Sequence, residues 1–486
     1  LRHAPCFINP VIHCGVILTK FEKLFFHSKK TMRLGYPLVA AQLLQMSMGF
    51  VDAVMAGQLN AKALAAIAVG ASILSPIMVL VFGTLMVINP IVAQLMGAGK
   101  RDHIGGYLWQ IFWLSQMLAL PFWLLVRHSE GVLILFNIQP EIIPITVGYL
   151  KAISWGFPGA YAYFALRYFN EGLAVTKPSM YIALIAFVAN ILGNYAFMYG
   201  YWGFPQLGAV GTGVSSAIVW WLMGGLMAMF TFRKTSRVDF KIAENFRAPI
   251  WNLQKEILHI GLPNGVNICI EVSMFAIAAL IIGSMGVNVV AAHQITINFA
   301  SLTFMVPLGL SLATTARVGF AVGKNDLSEA RDIGFMGVAL CGLVMTLTAL
   351  IMLTLPEWIV KLYTKDLAVQ ELAIKLLFYA AIFQISDGLQ VGGLGALRGL
   401  KDTRVPTLIN VVAYWLVGLP IGYLLGVQQR LGAEGLWMGL ILGLTVAALL
   451  HNLRFHWLTK NFVTERFAAV RSVRKARVGE EQSHNF

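Results

Sequence analysis

The chain has 486 residues, 58% of them hydrophobic and only 12% charged, with a mean hydropathy of +0.73, against roughly 25% charged residues in an ordinary soluble domain. That balance excludes a soluble globular enzyme and defines an all-α polytopic membrane protein. A formal charge of +14 and a pI of 9.6 would point to nucleic acid in a soluble chain, but the placement of the charge excludes that partner. Between Lys62 and Arg430, fifteen Lys and Arg residues fall in one alternating set of connections and five in the other (Lys62, Arg127, Lys361, Lys365 and Arg430). This is the positive-inside bias, so the charge sets orientation and meets anionic lipid heads. Cys6, Cys14, Cys269 and Cys341 show no metal or disulfide spacing.

Residues 1–33 read as an N-terminal extension outside the fold: the apolar run at 8–18 is too short to span, and Met32 is an alternative start. Apolar stretches then follow near 34–56, 63–90, 105–126, 143–170, 179–200 and 209–232, each long enough to cross about 30 Å of hydrocarbon. The polar stretch 233–256 reads as a cytoplasmic linker. Six more spans follow near 257–283, 288–315, 333–356, 369–397, 405–426 and 433–458, and then a basic tail at 459–486. Motifs before the linker recur after it. AQLMGAGKRD at 93–102 returns as ARVGFAVGKND at 316–326, GLAVTKPSM at 172–180 as GLKDTRVPT at 399–407, and QLGAVG at 206–211 as RLGAEG at 430–435, all offset by 223 to 227 residues. The expectation is therefore two parallel six-helix repeats, lobes 34–232 and 257–458, with a solute path between them and both termini in the cytoplasm.

Most prolines in the spans read as ordinary bends. Pro37 and Pro263 are candidate hinges, because each opens the first helix of a half. The Gly, cation and Asp turns after the second and eighth spans do not match a phosphate-binding loop and read as tight structural turns. The tryptophans, Trp437 among them, read as an interface belt.

Ionisable groups at membrane depth normally face a cavity, a partner or a transported ion. Asp52 in MGFVDAVMAG, Glu271 in NICIEVSMF and Asp387 in FQISDGLQV stand out, since none has a cation three or four residues away. Such a carboxylate can exchange a proton or Na⁺ as its surroundings switch between wet and dry. A hydrogen-bonded structural acid is the competing reading. Arg167, Glu171, Lys151, Lys375, Arg398 and His293 form a second rank: Arg167 and Glu171 read as a helix-face pair, and His293 either lies near Glu271 or is a core histidine.

The stretches MGFVDAVMAG, PIVAQLMGAGK, EGLAVTKPSM, GLPNGVNICIEVSMF, AAHQITINF, YAAIFQISDGLQVGGLGALRGLKDTR and AYWLVGLPIGY together resemble the multidrug and toxic compound extrusion (MATE) transporters, in particular the bacterial NorM-type branch. The resemblance covers about 34–458; residues 1–30 have no counterpart in it. It implies a twelve-helix, V-shaped, two-lobe antiporter of the bacterial inner membrane, not an enzyme, that exports organic cationic drugs or dyes against Na⁺ or H⁺. By motif, Asp52 resembles the acid of the amino-terminal lobe, while Glu271 and Asp387 resemble the cation-site pair of the other lobe, with Na⁺ the expected ion. Asn190 and Asn194 resemble residues lining the amino-terminal cavity, to which His293 is added as a candidate. No cofactor is expected beyond the coupling ion, and the chain is expected to act as a monomer. A related lipid or oligosaccharide flippase is the alternative. ATP-driven export would need a GxxxxGK[ST] motif, which the chain lacks.

Overall fold

The computed structural model describes residues 20–136, 138–234, 240, 242 and 246–483, and at 20, 21, 24, 234 and 461–483 the backbone alone. Cys6, Cys14, the apolar run at 8–18 and most of the basic stretch 235–245 lie outside the described residues. Every regular element among those described is helical. The first lobe comprises α1 (Lys20–Leu59), α2 (Ala61–Leu85) and its continuation α3 (Ile88–Gly97), α4 (Arg101–Arg127), the short α5 (Glu130–Leu135), α6 (Ile143–Ser154), α7 (Phe157–Gly172), α8 (Lys177–Phe197) and α9 (Ala209–Lys234). The second comprises α10 (Trp251–Gly283), α11 (Val287–Gly323), α12 (Leu327–Thr354), the short α13 (Pro356–Lys361), α14 (Leu367–Gly399), a span built from α15 (Arg404–Asn410) and α16 (Leu419–Tyr423), and α17 (Gly432–Ser483). Eleven of these are long and apolar enough to cross a membrane. The remaining crossing is the broken pair α6 and α7. Its break has a local cause: Pro158 sits in the first turn of α7, and Gly156 lies so close to α9 that a Cβ there would come within 2.7 Å of Ala217 Cα.

Polar side chains cap the helix starts where the connections are short. Asn60 Oδ1 accepts from the Ala63 amide at 2.7 Å, Asp326 Oδ1 from that of Glu329 at 3.0 Å, and Asp366 Oδ1 from that of Ala368 at 2.9 Å. Each satisfies an amide that the first helical turn leaves open.

The duplication is written into the backbone. Left-handed residues recur in pairs, Gly99 with Asn325, Ala174 with Lys401, and Gly208 with Gly432, and a short helix follows the third span of each lobe, α5 in one and α13 in the other. The register at the α3 exit is 226 residues, from Gly99 to Asn325, not the 223 of the motif match at 93 and 316. The two Gly-Lys pairs align as letters, but the helix ends do not fall on them.

The lobes meet along the face that carries the basic connections, and the contact has two-fold character. A Cβ at Gly35 would lie 2.8 Å from Leu310 of α11, and one at Gly261 would lie 2.4 Å from the Thr84 carbonyl of α2; both residues of the second contact are related to the first by 226 positions. Gly309 lies against the Val39 backbone and Gly83 against Gly265, each 2.7 Å from a would-be Cβ. Gly97 meets Phe320 O at 2.1 Å and Gly323 meets Gln94 O at 2.0 Å, measured in the same way. Thus α1 crosses α11 as α10 crosses α2. Glycine at these points lets the two backbones touch, the usual device for close packing in lipid.

Residues 20–33, expected outside the fold, continue α1. At about 1.5 Å per residue the 40-residue helix is roughly twice the hydrocarbon thickness, so its first turns project beyond the basic face. There Arg317 of α11 donates to the His27 carbonyl at 2.6 Å and to Thr31 Oγ1, and both His27 and Thr31 are buried. The linker is likewise held: the Ile250 amide and the Gln254 side chain bond to Gln110 of α4 at 2.8 and 2.9 Å.

Candidate functional site

Asp52 lies in α1 in the first lobe. Its Oδ1 accepts from Asn190 Nδ2 at 3.0 Å and from Asn194 Nδ2 at 2.6 Å, one turn apart on α8. Both asparagines are buried, at 2% and 0% exposure, whereas Asp52 itself is half-buried. Three residues singled out in the sequence are therefore one cluster. Four apart on a helix, Asn190 and Asn194 present their amides on one face. A carboxylate held by two neutral donors keeps its charge available to a cation.

The second lobe brings Glu271 and Asp387 together. Glu271 is on α10 and half-buried, and Asp387 is on α14 and 5% exposed; their charges act on one another. Gln390, one turn beyond Asp387, and the Tyr414 hydroxyl complete the cluster. Tyr414 sits in a π-helical stretch, Val411–Gly418, where the sequence alone implied a regular helix. Such turns are rare and occur often at functional sites. The glycines of this span, Gly418 and Gly422, press onto Gly439 of α17, which leaves 2.5 and 2.4 Å for a Cβ; this contact fixes the rotation that turns Tyr414 inward. The nearest fixed cation is Arg398, at the basic end of α14. Carboxylate, amide and phenol oxygens in one buried cluster suit a hard cation, and the Gln390 amide and the Tyr414 hydroxyl have no hydrogen-bond partner among the described residues. Among the described residues, no three His, Cys, Asp or Glu side chains gather as a transition-metal centre would need.

His293 belongs to neither cluster. It is buried inside the second lobe, with its ring 5.8 Å from that of Trp437, which is fully buried and also packs on Phe383. Both the cavity placement of His293 and the interface placement of Trp437 are thereby corrected: α11 and α17 are core helices at that level, and the aromatic ring fills the space between them. Arg167 and Glu171 do form the expected pair at 2.6 Å with no exposure at all, and Arg167 also reaches Gln42 and Gln45 of α1 at 2.8 and 3.2 Å. Lys375 pairs with Glu371 at the surface, and Lys151 is exposed. Pro37 is buried where α1 crosses α11. Pro263 lies where α10 crosses α2, and the carbonyls of Ile260 and Pro263 accept from Thr403 and Thr407 at 2.8 and 2.9 Å. Both candidate hinges are thus lobe junctions.

Two six-helix lobes, each with a carboxylate cluster at membrane depth and joined along one face, define a two-lobe membrane transporter. The MatE family model matches the chain in both lobes, over residues 37–196 and 263–424. The chain is 41% identical over 455 residues, 92% of its own length and 100% of the relative's, to multidrug resistance protein MdtK of Yersinia pseudotuberculosis serotype O:1b, strain IP 31758. It is 40% identical to that of Yersinia enterocolitica serotype O:8, over 90% of this chain and 97% of the relative. A crystal structure of MATE in complex with MaL6 superposes with a TM-score of 0.83 at 18% identity, covering 92% of this chain and 100% of that one. The chain belongs to the MatE family, the multidrug and toxic compound extrusion transporters.

Proposed function

We propose that the protein is a secondary active exporter of organic cations from the cytoplasm across the bacterial inner membrane, exchanging them for Na⁺. In this reading the basic face, with both termini, is cytoplasmic, and the chain works as a monomer. The matched MdtK relatives are described as multidrug resistance proteins, which supports a broad range of drug substrates. What supports the reading is the placement of two acids from different helices of one lobe at membrane depth, Glu271 of α10 and the buried Asp387 of α14, close enough for the charge of the first to act on the second.

Antiport requires the ion and the drug to bias one two-state equilibrium in opposite senses, and linkage makes the bias reciprocal. Two facing carboxylates repel unless a cation lies between them, so Na⁺ arriving from outside stabilises the lobe that encloses it. Asp52 with its two asparagines gives the other lobe one negative charge for an organic monocation. Asp52 has no cationic partner among the described residues, whereas Glu171 of the same lobe is paired with Arg167, and an acid left unpaired in this way favours cationic drugs over the anionic headgroups that a flippase would carry. The closed seam on the basic face supports the assignment of the opposite face as the open side.

The test is efflux of a fluorescent monocation from proteoliposomes under an imposed inward Na⁺ gradient, with pH clamped on both sides. Wild type should respond to Na⁺, while Glu271→Gln and Asp387→Asn should lose that response yet keep some dye binding. Efflux that ignores Na⁺ and follows a pH gradient would make the pair a proton site. Full coupling in the double variant would overturn the reading.

A further inference from the structure

Between the carboxylate pair and the lobe seam lies a chain of buried polar groups that nothing above uses. Asn264, Asn267 and Glu271 occupy one face of α10, at spacings of three and seven residues. Asn264 is 3% exposed; its Oδ1 accepts from Arg398 Nε at 2.7 Å, and its Nδ2 donates to the Gly83 carbonyl of the other lobe at 2.7 Å. The residue after Arg398 crosses the seam as well, because Gly399 O accepts from Gln94 Nε2 at 2.9 Å. Arg398 is 5% exposed, and its Nη1 has no hydrogen-bond partner among the described residues. Beside it is a cavity of about 10 Å³ lined by both lobes: Met86, Val87 and Pro90 from one, Asn264, Thr315 and Thr403 from the other. A buried guanidinium with an unused donor beside a space of about one water is a group whose hydrogen bonding is incomplete in this arrangement.

We infer that Arg398 and Asn264 form the coupling element through which occupancy of the Glu271 and Asp387 site controls the seam on the basic face, an inference that rests on reading those acids as the ion site. With the carboxylates bare, Glu271 attracts the guanidinium and holds it in line with Asn264, whose amide ties the second lobe to Gly83. A cation between the carboxylates cancels that attraction and repels Arg398. The guanidinium then turns away from the carboxylates, and Asn264 loses the partner that orients it. The donor to Gly83 is released, and the seam is free to open on the side where the ion must leave. A contiguous set of contacts with two arrangements, biased at one end by the ion, is what coupling between distant sites requires. Arg398 and Asn264 are positioning residues here; neither needs to touch drug.

The test uses the full-length protein in lipid nanodiscs, with its native cysteines replaced and dyes on cysteines introduced at Lys100 and Lys324, on matched turns of the two lobes. The open fraction of the seam is followed by single-molecule energy transfer while Na⁺ alone is titrated, and binding of radioactive Na⁺ is measured on the same samples. In wild type the open fraction should rise with Na⁺. Asn264→Leu and Arg398→Lys should cut that response by about fivefold or more while Na⁺ still binds. Asn264→Asp keeps the acceptor for Arg398 but removes the donor to Gly83, so it should uncouple as well, and it guards against misfolding of the leucine variant. Wild-type responses in folded Asn264→Leu and Asn264→Asp would overturn the coupling role and leave the ion site standing. Na⁺ binding unchanged in Glu271→Gln and Asp387→Asn would instead remove the ion site, and the inference with it.

Discussion

Replacing Arg167 with Met should destabilise the first lobe severely, and the structure sets the size of the effect. The guanidinium has no exposure and makes three side-chain bonds, to Glu171 at 2.6 Å, Gln42 at 2.8 Å and Gln45 at 3.2 Å. Methionine fills much of the volume but leaves Glu171 as an uncompensated buried charge, which costs about 3–5 kcal/mol. Glu171→Gln keeps a partner for the guanidinium and should cost less. The double variant removes both charges, so it should be less destabilised than Arg167→Met alone, although two separate buried lesions would add. Unfolding by titrated SDS in mixed micelles, followed by tryptophan fluorescence, gives the three free energies. Additive costs for the two single variants would refute the idea that the two buried charges depend on each other.

Cysteines at Gly35 and Ala313 should form a disulfide across the seam, since the Cβ atoms would lie 3.7 Å apart, close to the mean for such bonds of about 3.8 Å. Oxidation should stop transport and reduction should restore it, read as dye efflux with the native cysteines replaced. Asp52→Asn should weaken export of cationic dyes whichever ion drives it, while Na⁺ binding to the other lobe remains; unchanged dye affinity would remove Asp52 from the drug site. A chain starting at Met32 should insert but close its seam less firmly, because Arg317 loses His27 and Thr31. Faster labelling of a cysteine at Thr84 from the basic face reports this, and wild-type labelling would show that the first turns of α1 are dispensable.

Much of this architecture is legible in the sequence because lipid imposes simple rules. Apolar length gives the spans, and lone acids in apolar runs single out Asp52, Glu271 and Asp387 as candidates. Neutral polar residues carry no such signal. Gln390 and Tyr414 join the carboxylates only through the packing of α14 against a span with π turns, and no letter pattern announces a π turn. Asn264 could have been noticed, seven residues before Glu271 on the same helix face. His293 and Trp437 misled for the opposite reason: polar or amphipathic types imply a cavity or an interface, yet here they pack on each other in the core. The register of the duplication was blurred by a Gly-Lys pair that recurs two positions out of step with the helix ends it accompanies, Gly99 facing Asn325 in the fold.

If one ion and one drug share a single conformational equilibrium through Glu271 and Asp387, linkage allows the exchange to be run backwards. Proteoliposomes loaded with radioactive Na⁺ at equal concentration on both sides, with pH clamped, are given an imposed gradient of a cationic dye and no other driving force. The dye gradient should drive Na⁺ in the opposite direction, and Glu271→Gln with Asp387→Asn should abolish the movement. Dye flux with no countermovement of Na⁺ would contradict a shared equilibrium.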